Sequence, residues 1–239
     1  MIKKFSFLSV LGLAFAAMAA FATPTCNDGT AGNGSLYFGG SYTCQIGDLL
    51  FSNFSYTASG SSPISASSIT VDTVGPSGSG ASINFPDIGL SFHAPWSAGP
   101  GQTTDGTIDF TVSVVSGGSL IADLGLAQTS GVAGNGSASV IERGCGPAPC
   151  DATGGSLHVM TFQTGSADSA QANTTFPGYS SVSVEKDIAV NGGSTGNSFA
   201  GISVVQDTFS SVPEPVSVGL IGGALALLGV ARMRRRAQA

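Results

Sequence analysis

The feature that most constrains this chain is an alternation of apolar and polar side chains with a period of two. It is clearest from Thr107 to Val114, where Ile108, Phe110 and Val112 alternate with threonine, aspartate and serine. Successive side chains of a β-strand point to opposite faces, whereas a helix repeats its apolar residues every three or four positions. The segment therefore predicts a strand with one buried face and one wet face.

The same alternation recurs between clusters rich in glycine and serine. We predict further strands at Leu49–Thr57, Ile69–Val74, Ala81–Phe85, Ile88–Phe92, Leu120–Leu126, Ala138–Glu142, Leu157–Thr164, Val182–Glu185 and Ile202–Phe209. The clusters between them supply turns that tolerate positive φ. About ten or eleven short strands at such spacing predict an all-β fold, a two-sheet β-sandwich of jelly-roll or immunoglobulin-like type.

The N-terminus has the order of a secretory signal peptide. Lys3 and Lys4 come before an apolar run over residues 5–19. The triplet at 20–22 has alanine at its first and third positions, which fits the small-x-small cleavage rule. A second triplet three residues earlier offers another cleavage site. The run is shorter than the ~20 residues of a spanning helix, so we predict a removable signal peptide over residues 1–22.

The C-terminus carries a motif, a short apolar segment and a basic end. Pro213, Glu214 and Pro215 lead into an apolar stretch from Val216 to Ala231. The chain then ends in a cluster of Arg232, Arg234, Arg235 and Arg236. As a helix the stretch would span about 24 Å, which is short for a ~30 Å hydrocarbon core. We therefore predict a marginal membrane anchor, with the arginines as a cytoplasmic stop and the body outside the cytoplasm.

This tail resembles the PEP-CTERM sorting signal, with Pro213, Glu214 and Pro215 as the motif. The resemblance implies recognition by an exosortase-like processing enzyme, cleavage near the motif, and a companion role to exopolysaccharide production in Gram-negative bacteria. It also implies a transient inner-membrane intermediate followed by the cell surface or extracellular matrix. The chain then divides into a signal peptide (1–22), a β-sandwich body (23–210) and a sorting tail (211–239).

The charge of the body excludes one class of partner. Between residues 23 and 210 the basic residues are Arg143 and Lys186, against 13 acidic residues, which gives a net charge of −11. Binding to phosphate backbones requires a basic surface. Nucleic acid is therefore not expected as a partner.

The cysteines predict disulfides. They are Cys26, Cys44, Cys145 and Cys150. An even number in an exported chain favours oxidation, and the simplest pairing joins Cys145 to Cys150 across a stiff proline-containing turn and Cys26 to Cys44. A four-cysteine zinc site is the alternative, which an oxidising compartment disfavours.

Motifs for catalysis and metal binding are weak. Residues 192–196 match the Gly-x-Ser-x-Gly elbow with Ser194 as nucleophile, but His93 and His158 both precede it, so we interpret the match as chance. Two histidines do not define a metal site. Asp105, Asp109 and Asp187 are candidates for a calcium ion held between loops. We predict no cofactor, no metal ligands and no catalytic residues.

Three functions remain open. The leading hypothesis is a non-catalytic surface or matrix protein associated with exopolysaccharide or biofilm. The first alternative is a carbohydrate-binding module, which convergence of Trp96, Tyr179 and Asp105 in one cleft would favour. The second is a secreted hydrolase, which would require a histidine meeting a carboxylate and a serine.

Overall fold

The computed structural model describes residues 23–26, 31–75, 87–146, 157–164, 167–169 and 171–212. The predicted signal peptide, the Pro213–Pro215 motif, the apolar tail segment and the arginine cluster lie outside these residues. Among the described residues, no helix is long and apolar enough to cross a membrane.

The described residues form mainly β-strands, which confirms the all-β prediction. The strands are β1 (Cys44–Ile46), β2 (Leu49–Gly60), β3 (Thr70–Val74), β4 (Ile88–Ala98), β5 (Thr103–Val114), β6 (Leu120–Ala133), β7 (Ser137–Cys145), β8 (Leu157–Thr164), β9 (Ala167–Ser169), β10 (Gln171–Tyr179), β11 (Ser181–Asn191), β12 (Phe199–Phe209) and β13 (Ser211–Val212). One short helix, α1 (Gly34–Tyr37), precedes them.

The described strands assemble into two antiparallel sheets. The larger sheet has the order β1-β2-β5-β11-β7-β8-β9, and the smaller has the order β10-β6-β12-β4-β3 with β13 pairing to β6. Sequential strands therefore pass from one sheet to the other: β5 and β7 lie in the larger sheet, while β4 and β6 lie in the smaller. This arrangement is the predicted two-sheet sandwich.

Aromatic side chains pack the two sheets together. Phe51 of β2 and Phe110 of β5 come from the larger sheet, whereas Phe92 of β4 and Phe209 of β12 come from the smaller. The Phe51 and Phe209 ring centroids are 6.1 Å apart, as are those of Phe92 and Phe110. All four rings are buried in one core cluster, so the core lies between the sheets, where burial of apolar area stabilises the fold.

The alternation in β5 is confirmed, since Ile108, Phe110 and Val112 are all buried. Several strands run further than predicted: β4 continues to Ala98 rather than ending at Phe92, and β11 continues to Asn191. Hydrogen-bonded pairing with β5 and β7 extends β11 through charged residues at which the apolar pattern is broken. The predicted Ala81–Phe85 strand lies outside the described residues.

The N-terminal segment is held onto the sandwich at two points. The Cys26–Cys44 disulfide joins it to the start of β1. Further on, the Asn33 side chain accepts a hydrogen bond from the Val71 N–H (2.6 Å) and donates one to the Val71 carbonyl (2.8 Å). These two backbone groups belong to the exposed edge of β3, so Asn33 extends the ladder that the sheet would otherwise leave open.

Candidate functional site

The Trp96 side chain belongs to the core and offers no exposed ring for stacking on a sugar. Trp96 lies on β4 between the exposed Pro95 and Ser97, and its own side chain is fully buried. Its indole Nε1 faces the Tyr56 hydroxyl beside Gly106, where a Cβ would lie 3.4 Å from Nε1 and 3.0 Å from that hydroxyl. Glycine at 106 thus leaves room for both rings.

The convergence of Trp96, Tyr179 and Asp105 that would favour a carbohydrate-binding module is not formed. Tyr179 lies on β10 and stacks on Phe176, with ring centroids 5.2 Å apart. Asp105 lies on β5 in the other sheet, opposite Ala189 of β11, and its side chain is half-buried. The three side chains therefore occupy separate parts of the sandwich.

A groove of about 380 Å³ lies on the smaller sheet where β4, β6 and β12 meet. A register shift between Ile202 and Val204 interrupts the pairing of β12 with both neighbours. Ser203 is an extra residue relative to β6, whereas on the other side Ala94 and Pro95 of β4 lie opposite Ser203 alone. Such a bulge bends and twists a strand locally. The Ser203 hydroxyl donates a hydrogen bond to the Thr129 carbonyl (3.3 Å), which holds the bulge against β6.

The groove combines one exposed ring with several small polar residues. Phe199 is 47% exposed, and its ring covers Gly201, where a Cβ would lie 3.1 Å from the Phe199 Cζ atom. The other lining residues are Pro95, Trp96, Ser97, Thr129, Ser130, Gly131, Ile202 and Ser203. A ring face beside hydroxyl and peptide groups can stack on the apolar face of a sugar while polar groups bond its hydroxyls.

A histidine, a carboxylate and a serine do meet on the smaller sheet. The His93 Nε2 atom is 3.0 Å from the Ser91 Oγ atom and 3.1 Å from the Asp72 Oδ2 atom. A hydrolytic triad places serine and carboxylate on different ring nitrogens, so that one receives the proton while the other orients the ring. Here both approach the same nitrogen, and Ser91 is buried, so this cluster lacks the geometry of a triad.

The strand pairing explains why the sequence did not reveal this cluster. Ser91 and His93 lie two residues apart on β4 and therefore on one face, and Asp72 of β3 lies opposite Ser91. Neither the adjacency of β3 and β4 nor their register could be predicted from the sequence. The structure does not describe the side chain of His158.

Ser194 does not form a nucleophile elbow. It lies in the loop between β11 and β12, and the segment after it enters a strand rather than a helix. Its hydroxyl accepts a hydrogen bond from the Asn135 Nδ2 group (2.9 Å), and its N–H donates to the Asn135 Oδ1 atom (3.0 Å). The loop residues are thus tied to the β6–β7 turn, as a structural contact.

The candidate calcium ligands lie on β5 and β11 rather than in loops. Asp109 accepts a hydrogen bond from the Ser55 hydroxyl (2.8 Å) across the sheet. Burial, followed by the charge of Asp105, raises the pKa of Asp187. Among the described residues, no three histidine, cysteine or acidic side chains are grouped so as to hold a metal ion.

The cysteine prediction is confirmed for the first pair, because Cys26 and Cys44 form a disulfide. Cys145 is also disulfide-bonded, and its predicted partner Cys150 lies outside the described residues. A bridge between Cys26 and Cys44 rules out the four-cysteine zinc site, since metal ligation requires free thiolates.

The most unusual site is a buried ionic triad that the sequence analysis missed. The Lys186 ammonium contacts the Glu142 Oε2 and Asp207 Oδ1 atoms, and all three side chains are fully buried. Lys186 lies on β11 and Glu142 opposite it on β7, whereas Asp207 lies on β12 in the other sheet. The triad therefore joins the two sheets through the middle of the core.

Burial and charge act on this triad in opposite directions. Burial raises the pKa of Glu142 well above its ordinary value, the Asp207 charge raises it further, and Lys186 only partly offsets both. Burial lowers the pKa of Lys186, but Asp207 and Glu142 outweigh it and the net pKa is raised. Burial and the neighbouring carboxyl thus favour the protonated form of Glu142, while the two carboxyl groups favour the charged form of Lys186.

The described residues define a disulfide-bonded, two-sheet β-sandwich with an ionic core and a groove on one sheet. No family model and no curated protein matches the chain. Two solved structures have some similarity, at TM-scores too low to support a shared fold or ligand. They are TmCBM61 in complex with beta-1,4-galactotriose (9% identity, TM-score 0.28, covering 66% of this chain and 88% of that one) and the enzymatically active domain of bacteriophage CBA120 tailspike protein 4 (12%, 0.25, 74% and 21%).

Proposed function

We propose that this chain is an exported, non-catalytic protein of the cell surface or extracellular matrix. The observation that carries the proposal is the Cys26–Cys44 disulfide, together with the disulfide state of Cys145. Disulfides form and persist in oxidising compartments outside the cytoplasm. The predicted signal peptide and the resemblance of the tail to a PEP-CTERM signal agree with that address.

The tail supplies the sorting step in this proposal. An exosortase-like enzyme recognises Pro213, Glu214 and Pro215 while the apolar segment and arginines hold the chain in the inner membrane. Replacing the three motif residues by alanine should leave export intact and block processing, because the signal peptide is unchanged. The variant should accumulate in the membrane fraction as a longer species. Normal processing of the variant would contradict the sorting proposal.

The non-catalytic part of the proposal has its own support. The His93 cluster places Ser91 and Asp72 on one ring nitrogen, and Ser194 is bonded to Asn135 in a loop that leads into a strand. Neither arrangement provides a nucleophile activated by an oriented base. The titratable side chains in these clusters act instead as cross-strand and loop contacts.

We infer that the groove on the smaller sheet is the surface through which the protein contacts matrix polysaccharide. Phe199 offers a half-exposed ring among serine and threonine residues. The test is binding of the processed protein to a panel of purified polysaccharides, with Phe199→Ala as the variant. Leu36→Ala is the matched control, because Leu36 is 45% exposed and lies on α1, away from the groove. Binding should fall at least tenfold for Phe199→Ala alone, and equal binding of both variants would contradict this role.

A further inference from the structure

The three side chains of the triad are fully buried, unlike those of an ordinary ion pair on a protein surface. Lys186 lies inward in β11, in phase with the buried Val184 and Ile188. Its ammonium reaches across the sandwich to Asp207, which lies between the buried Leu90 and Leu126 in register. A cation and two carboxyl groups are thus held in direct contact inside an apolar core.

Such a core favours neutral species over ions. Removing charges from water is costly, and mutual attraction recovers the cost only when every polar atom finds a partner. Here the Glu142 Oε1 and Asp207 Oδ2 atoms are buried with no hydrogen-bond partner among the described residues. Conversion of the ammonium and a carboxylate to an uncharged product would remove that penalty.

We propose that Lys186 and Asp207 condense into an intramolecular amide, with Glu142 as the proton-transfer group. This inference goes beyond the proposed function, because it assigns the folded protein a covalent bond that it makes in its own core. The bond would join β11 to β12 and hence the larger sheet to the smaller.

The reaction balances with the three side chains alone. A proton passes from the Lys186 ammonium to the Asp207 carboxylate, which gives a neutral amine and a neutral acid. The Nζ lone pair then attacks the Asp207 Cγ atom and forms the C–N bond. Glu142 takes a proton from the nitrogen and gives one to the departing hydroxyl, so the C–O bond breaks and one water leaves. No oxidant, reductant or cofactor takes part.

Contact and burial both assist this step. The Lys186 nitrogen already contacts an oxygen of the carboxyl group whose carbon it attacks, so the fold removes the entropic cost of bringing the two groups together. The raised pKa of Glu142 keeps a proton available beside the leaving oxygen. The raised pKa of Lys186 makes the reactive amine the minor form, so the reaction is slow, but each molecule needs to react only once.

The product would act as a strut that reducing agents cannot open. It would close a loop between residues 21 positions apart, and a cross-link of this kind restricts the unfolded chain as a disulfide does. For a protein exposed outside the cell, the cross-link would hold the sheets together even if Cys26–Cys44 were reduced.

The chain offers a direct test, because Arg143 and Lys186 are the only lysine or arginine residues between 23 and 210. The processed protein is denatured, reduced, weighed intact and digested with trypsin. The amide removes the free ammonium that trypsin reads at Lys186. We expect an intact mass lower by one water, and cleavage after Arg143 but not after Lys186.

Two variants assign the roles. Glu142→Gln keeps the shape of the side chain but cannot carry the proton, so it should show the full mass and cleavage after Lys186. Glu185→Gln is the matched control. Glu185 is next to Lys186 in the sequence, but its carboxylate pairs with Arg143 (3.0 Å) outside the core. This control should remain cross-linked.

Several results would overturn the proposal. Wild-type protein with full mass and cleavage at both sites has no amide, and this measurement needs no variant to fold. A cross-linked Glu142→Gln protein would remove the role of Glu142. Fragment 23–143 joined covalently to the remainder would place the bond on Glu142 instead of Asp207.

Discussion

Glu142 and Lys186 lie directly opposite each other on neighbouring strands, and their side chains pair inside the apolar core. Removing the cation leaves two buried carboxyl groups without a partner. Lys186→Met should therefore lower the free energy of unfolding by about 3 to 5 kcal/mol. Urea unfolding followed by intrinsic fluorescence measures the change.

The control for this prediction replaces the whole triad. Lys186→Met with Glu142→Leu and Asp207→Leu should recover the part of the lost stability that comes from the two unpaired carboxyl groups, because apolar residues of similar volume often replace a buried ionic group without net cost. A single variant within about 0.5 kcal/mol of the wild type would show that the triad does not support the fold.

The Cys26–Cys44 bridge should contribute measurably to stability. The two cysteines are 18 residues apart. Closing a loop of this size raises the free energy of unfolding by about 3 kcal/mol, because it restricts the unfolded chain. Cys26→Ser with Cys44→Ser should lower the urea midpoint accordingly. If this midpoint matched that of the oxidised wild type, the bridge would have no stabilising role.

Two glycines on the smaller sheet differ in the space that a side chain would have. A Cβ at Gly89 would lie 1.7 Å from the Asp207 carbonyl oxygen, whereas one at Gly131 would meet nothing within 4 Å. Gly89→Ala should cost at least about 1 to 3 kcal/mol, since backbone must move to admit the methyl group. Gly131→Ala should change stability by no more than about 0.5 kcal/mol. Thermal unfolding of the two variants compares them, and equal midpoints would contradict the close approach of β4 to β12.

The sequence predicted most of the long strands because alternation reports which face of a strand is buried. It missed the triad because Lys186, Glu142 and Asp207 were considered only as contributions to the net charge. The available signal was their phase: Lys186 follows Val182 and Val184 at intervals of two. A charged residue in the buried phase of a strand indicates a paired group in the core.

Other features depend on pairing that no single strand encodes. Strand β10 is largely polar, so its sequence shows no apolar alternation. It takes its extended conformation from pairing with β6. The groove arises at a bulge where β12 carries one extra residue relative to β6, and β4 carries one extra residue relative to β12. The alternation of Ile202–Phe209 alone did not reveal that bulge.

Asp187 should make stability depend on pH. Its pKa in the folded state is raised by burial and by Asp105, with Arg143 offsetting part of the effect. A raised folded pKa stabilises the protein fully below the ordinary value of 3.8, and this contribution is lost as pH rises through the raised pKa. Asp187→Asn should therefore flatten the pH dependence of the urea midpoint above about pH 4 and slightly stabilise the protein at neutral pH. A variant less stable than the wild type at neutral pH would contradict the sign.

The most direct test of the proposed function is the intact mass of the protein recovered from the surface or matrix fraction of the cells that produce it. The mass should correspond to a chain that begins at Thr23 and ends near Pro213–Pro215, without Arg232 to Ala239. Removal of either end of the chain changes this mass far more than the loss of one water through the Lys186–Asp207 amide does. One measurement therefore tests processing and amide formation separately. Full-length protein confined to the cytoplasm, or matrix protein that still carries its C-terminal arginines, would contradict the account.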